Sequence, residues 1–322
     1  MTASAPRATS QPVASPPGTP RGSPLLGVAC VLGGAFALSV SDMSVKFLSG
    51  GYPLHEVILI RSLIGICFVV GVILFTRTGL RQLRTRRPVA HLIRVGFILM
   101  SNVTYYLGLA VLPLADGVAI AFIGPLAVTA LSAVVLGEQV GARRWIAVLV
   151  GLVGVIVMVR PGSGLIQTAA LLVAFSAVSY SCAHIMTRRM RTSESAIALG
   201  FYGQAGFIAA SALMGLSVGD GRMASPGNAT LDYLFRAWVW PSSADWPYFV
   251  CTGIAVATAG ILIAQAYRLS TVATVAPFEY AAMPLAILWG VLIFGQWPDP
   301  TAWIGIELIC GAGLFALTSL RE

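Results

Sequence analysis

From Leu25 to Ser319 the chain is a succession of apolar runs, and that repetition leaves few folds open to it. Ten runs can be drawn, at 25–47, 54–76, 89–111, 116–136, 144–160, 165–187, 197–217, 246–268, 273–294 and 301–319. Each is close to the roughly 20 residues that carry a helix across a bilayer. The chain is 57% hydrophobic and 10% charged, with a mean hydropathy of +0.86. A soluble core cannot hide that share of apolar surface. The expected class is therefore an all-α integral membrane protein with ten transmembrane helices. Residues 1–23, rich in Ala, Ser, Thr and Pro, read as a disordered cytoplasmic tail.

The polar connections orient the runs. Arg77, Arg81, Arg84, Arg86 and Arg87 lie between the second and third, Arg143 and Arg144 between the fourth and fifth, and Arg188, Arg189 and Arg191 between the sixth and seventh. Arg268 ends the eighth. The alternate connections hold only Arg160, then Arg222 and Arg236 in one long loop, 218–245. Cytoplasmic loops concentrate Lys and Arg, so both termini are expected in the cytoplasm. The long loop would face outside. Its Trp238 and Trp240, with Trp246 beyond, read first as an interfacial anchor, and more sharply as a lid over a pathway. Asn228-Ala229-Thr230 fits a glycosylation sequon, a triplet common by chance.

One stretch occurs twice. Leu112–Arg160 and Val272–Leu320 are each a pair of apolar runs around a short polar turn. A displacement of 158 positions brings Gly137 onto Gly295, Trp145 onto Trp303 and Phe122 onto Tyr280. Paired use of the same helices in two halves is a mark of repeat-built transporters. The halves would be 24–162 and 163–322.

These features resemble the drug/metabolite transporter superfamily, EamA type. The resemblance rests on Pro125, the Leu136–Glu138 turn, Trp145 and Gly151–Val155, on their echoes Pro284, Gly295, Trp303 and Gly311, and on Ser41–Ser62 at the front. It spans nearly all of the chain after residue 25. Two features depart from it: Gln296 stands where the pattern has Glu, matching Glu138, and the outer loop is long. The resemblance implies two inverted five-helix repeats, alternating access and a small organic substrate. Tyr52–Ser62 most resembles bacterial members linked to riboflavin uptake. It implies no cofactor.

Ionisable groups at membrane depth face a cavity or a partner. Asp42 and Lys46, four apart, share a helix face, as a local ion pair or as a gate or substrate contact. Arg61 is expected to pair with Glu56 or Asp42. Glu279, between Pro277 and Pro284, is the sharpest substrate-site candidate, because broken helices carry binding groups in transporters. Tyr280, Asn102, Tyr105, Tyr106, Phe122, Tyr180 and Gln265 complete the candidate substrate-binding set, a mixture of aromatic walls and polar groups suited to a planar solute. His184 reads as an interfacial histidine, and Ala147 and Gly151 as helix packing. Cys30, Cys67, Cys182, Cys251 and Cys310 read as small buried side chains.

Rival functions find less support. Three histidines without an HExxH, and no acidic metal cluster, argue against an integral-membrane enzyme. The net charge is +8, but the arginines cluster in short loops between apolar runs, with no basic stripe for nucleic acid. The expected partners are a small-molecule substrate and the bilayer. Import of riboflavin, export of amino acids, metabolites or drugs, and a homodimer all remain open at the level of sequence.

Overall fold

The computed structural model describes residues 24–76, 79, 83–85, 87–136, 141–190, 194, 196–225, 227–269 and 278–318. The tail 1–23 lies outside them. So do Arg77, Arg81, Arg86 and Arg191, the Gly137-Glu138 turn and Pro277. Twelve helices are described: α1 (Pro24–Leu48), α2 (Leu54–Thr76), α3 (Pro88–Leu109), α4 (Leu114–Ala121), α5 (Gly124–Leu136), α6 (Ala142–Val159), α7 (Leu165–Met190), α8 (Ala196–Val218), α9 (Ala229–Phe235), α10 (Trp246–Leu269), α11 (Ala282–Phe294) and α12 (Pro300–Thr318). Among the described residues no strand occurs. Among the described residues, eight spans are long and apolar enough to cross a membrane, with α4 and α5 joined as one of them. Two shorter apolar helices, Ala282–Phe294 and Pro300–Ala316, complete the set.

The run read as one span at 116–136 is broken. α4 ends at Ala121, residues 122–123 turn, and α5 begins at Gly124. Pro125 explains the break, because it offers no N–H to the carbonyl of Ala121 and its ring crowds that carbonyl. Ser181 of α7 donates to the buried carbonyl of Gly124, beside the break, at 3.0 Å. The run at 273–294 behaves alike where it is described. Residues 280–281 turn and α11 begins at Ala282, with Pro284 in its first turn, where proline is tolerated. α11 ends on Gly295 at φ 63°, a left-handed cap that glycine adopts without strain.

The helices pack as partners: α1 on α10, α3 on α7, α6 on α12, α2 on α8, and α4 on α11. Small residues allow the close approaches. A Cβ on Gly108 of α3 would meet the Ala169 carbonyl of α7 at 2.7 Å, and one on Gly154 of α6 would meet Ile309 of α12 at 2.8 Å. Ala147 is fully buried, and Gly151 packs against Leu126 of α5. The cysteines are not uniformly buried as expected. All five are free, but Cys67 and Cys251 are exposed on the bundle surface and the other three are half-buried. An apolar span sends its small side chains to its outer face as readily as to its interior.

The long segment 219–245 is an ordered cap. Asn228 Oδ1 accepts from the N–H groups of Thr230 and Leu231, so the sequon asparagine is the N-cap of α9. Arg236 donates to the Gly50 carbonyl at 3.1 Å. Tyr52 donates to Asp245 at 2.7 Å and accepts from the Ser242 N–H at 2.9 Å. The cap thus clasps the α1–α2 turn. At the opposite end, Thr85 donates to Glu194 at 2.9 Å, and His91 Nε2 lies 3.2 Å from the same carboxylate.

Candidate functional site

Three helices bring one polar group together inside the bundle. Arg61 of α2 is 1% exposed. Its Nη1 donates to the Tyr106 hydroxyl at 3.0 Å and its Nη2 to Asn102 Oδ1 at 3.1 Å, both on α3. Tyr106 in turn donates to Asp42 Oδ1 of α1 at 3.2 Å, and Tyr105 donates to Asp42 Oδ2 at 3.1 Å. One hydroxyl is thus bracketed by a cation and a carboxyl. The guanidinium also lies 5.3 Å from the Tyr106 ring and 5.6 Å from Phe207 of α8, distances at which aromatic faces attract a cation. The α3 sequence explains the convergence: Asn102, Tyr105 and Tyr106 are three and four apart, hence on one face.

The local Asp42–Lys46 ion pair is not formed. Lys46 donates instead to the carbonyls of Leu109 and Leu112, at 2.8 and 2.5 Å, where α3 ends. Its charge lies near Asp116 of α4 rather than against Asp42. Spacing by four places two side chains on one face, but a long lysine reaches whichever acceptors the fold supplies. Arg61 reaches Asp42 only through the Tyr106 hydroxyl. Glu56 is turned to the cap, where it accepts from the Val239 N–H at 3.1 Å.

The second group surrounds the two helix breaks. Phe122, at the α4–α5 break, and Tyr280, at the turn before α11, stack with centroids 4.8 Å apart and planes at 20°. Glu279 lies close enough to Tyr280 and to Tyr180 of α7 for its charge to act on both hydroxyls. Tyr180 is exposed, with 48% of its surface accessible. His184, also exposed, packs edge-on against it with centroids 4.4 Å apart. Gln265 joins neither group. It is exposed on α10, 13 residues and about 20 Å along the helix from Thr252, which touches Ser41.

Sequence reasoning missed a third group. Arg160 makes a bidentate pair with Asp299, at 2.7 and 2.8 Å, and lies 3.6 Å from Asp116. The backbone of Arg160 is left-handed, at φ 49°. With Lys46 this ties α1, α4, the end of α6 and the α11–α12 turn at the cap end of the bundle. The signal was an acid within the apolar stretch Leu112–Ile120, passed over because it fell at the edge of a span. Tyr233 of the cap, 1% exposed, was equally invisible inside a polar loop.

Among the described residues no cluster of three His, Cys, Asp or Glu is placed to hold a metal.

The chain is similar to known membrane transporters. Residues 25–160 match the EamA-like transporter family. A riboflavin transporter of Rhizobium johnstonii is 28% identical over 79% of this chain and 78% of its own length. A riboflavin transporter of Vibrio cholerae is 28% identical over 89% and 91%. An S-adenosylmethionine uptake transporter of Rickettsia prowazekii is 22% identical over 92% and 94%. A solved crystal structure, 24% identical, superposes with a TM-score of 0.62 over 94% of this chain and all of its own. That likeness shows the fold. With an EamA-like transporter match over residues 25–160 and transporters as its relatives, the chain is a multi-pass protein of the bacterial inner membrane that transports a small metabolite and is not an enzyme.

Proposed function

We propose that the chain is a secondary-active carrier working by alternating access, and that it takes up riboflavin or a similar planar metabolite. In this reading residues 24–162 and 163–322 are two inverted five-helix repeats, giving ten spans with both termini in the cytoplasm. The observation that carries it is the stack of Phe122 on Tyr280. These two residues are equivalent under the 158-residue displacement, and so are the starts of α5 and α11. Equivalent residues meet face to face only where they lie beside the axis relating two repeats, which is where such carriers place their substrate. The packing agrees with this. If α1 exchanges with α7 and α3 with α10, the α1–α10 partnership becomes α7–α3, and both exist.

The arginine distribution puts the cap end outside. Phe122, Tyr280, Tyr180 and Glu279 would flank a planar ring, while Asn102, Tyr105, Tyr106, Asp42 and Arg61 would meet its polar substituents. Gln265 is left out of this set. The path lies within one chain, so a homodimer would be two carriers side by side.

S-adenosylmethionine is the second reading, favoured by relatives that align over 92% of the chain. Counterflow in proteoliposomes separates the two. Vesicles preloaded with unlabelled riboflavin should accumulate labelled riboflavin, and external S-adenosylmethionine should not compete. Competition by S-adenosylmethionine without riboflavin counterflow would overturn the flavin assignment and favour the second.

A further inference from the structure

The cap carries one side chain into the bundle. Tyr233 of α9 is 1% exposed, and its hydroxyl has no hydrogen-bond partner. It lies within electrostatic reach of Arg61 and Tyr106. Arg61 Nε is likewise buried without a partner, although both of its Nη atoms are bonded. Tyr233 also lines a pocket of about 460 Å³, together with Gly50, Ala110, Leu165, Asp232 and Arg236. One residue therefore borders both a pocket at the cap end and the buried Arg61–Tyr106–Asp42 group. Buried polar atoms ordinarily find partners, and these two without one border the same closure.

We propose that Tyr233 is the outer gate residue of the transport path: its ring closes the floor of an outer vestibule, and α9 must lift to open that vestibule to the Arg61 group. The inference rests on the carrier reading above and extends it to a segment that the family resemblance does not supply. The closed position is held from outside the bundle. Arg236 grips the Gly50 carbonyl, Tyr52 joins Asp245 to the Ser242 N–H, and Glu56 holds the Val239 N–H. When α9 lifts, the Tyr233 hydroxyl and Arg61 Nε are freed together. Both are donors, so the arriving solute is expected to present an acceptor oxygen, such as a ring carbonyl or a carboxylate.

The test reads accessibility, which needs no substrate. In a chain with all five cysteines replaced, Asn102→Cys is exposed to a membrane-impermeant thiol reagent added outside. With Tyr233 intact labelling should be slow; Tyr233→Phe should keep it slow, and Tyr233→Ala should raise it about tenfold, as a shift of the open population would. Equal rates in all three overturn the gate. If Tyr233→Ala does not fold, Gly50→Cys with Arg236→Cys, joined by a short cleavable cross-linker, takes its place. Riboflavin uptake should then stop and return on cleavage, and uptake through the locked cap overturns the gate. A gate response without riboflavin counterflow supports the gate and sinks the substrate. Counterflow without a gate response does the reverse.

Discussion

At the scale of single residues, the partner of each charge decides what its loss does. Asp42 is balanced by Arg61 across the Tyr106 hydroxyl, not by Lys46. Removing one charge leaves the other buried, at a cost of roughly 2 kcal/mol or more. Asp42→Asn should therefore lower the monodisperse yield after detergent extraction. Adding Arg61→Gln should recover part of the loss, and adding Lys46→Gln should recover none. Rescue by Lys46→Gln would show that this pairing is misassigned. Glu279 leads to a different expectation. Glu279→Gln keeps size and hydrogen bonding beside Tyr180 and Tyr280, so insertion should be normal while most net uptake, and any dependence on a pH gradient, is lost. Full gradient-driven uptake by the Gln variant removes Glu279 from the mechanism. Most of these residues were legible in the sequence, because an acid, an amide or a tyrosine in an apolar run stands out. Their partners were not. Helix spacing fixes a face, and only the packing of α1 and α2 against α3 decides what that face meets.

At the scale of elements, the helix breaks carry the consequences. Hydropathy ran straight through residues 116–136, since Phe122 and Ile123 are as apolar as a span requires. The missing N–H of Pro125 is what stops α4. The second break holds Tyr280, whose hydroxyl packs where a Cβ on Gly313 of α12 would stand. Gly313→Ala should displace that ring from Phe122 without unfolding the bundle. We expect weaker riboflavin binding, read from quenching of the flavin's fluorescence, with partial recovery in Tyr280→Phe/Gly313→Ala. Unchanged binding in Gly313→Ala would detach the stack from the substrate. The cap obeys a different control. Hydrogen bonds from Tyr52 and Ser242 hold the Asp245 carboxyl below its ordinary value of 3.8. A depressed carboxylate contributes its stability above the unfolded value and loses it as pH falls through the folded one. The latch thus persists throughout the neutral range. Asp245→Asn should weaken it and leave the shape of the uptake–pH profile unaltered; a shifted profile would contradict this.

At the scale of the whole molecule, the apolar runs made a helical bundle readable, because a helix satisfies its own backbone in hydrocarbon, and the alternation of arginines carries the proposed orientation. The orientation has a direct check. Arg84→Cys and Met223→Cys both fall at exposed positions, on connections expected at opposite faces. In intact cells an impermeant thiol reagent should modify only the second, and the reverse pattern would invert the topology. The ties at the cap end were not readable, since Arg160 and Asp299 stand 139 positions apart and meet only through packing. In the proposed orientation the cap, finally, gives this carrier an external handle. A solute-like inhibitor must compete inside the membrane, whereas Asn228, Met223 and Trp240 belong to a folded surface beyond it. An antibody fragment that recognises the clasped form of 219–245 would arrest the transport cycle from the periplasmic side without entering the bilayer, and its affinity would report how often the clasp is shut.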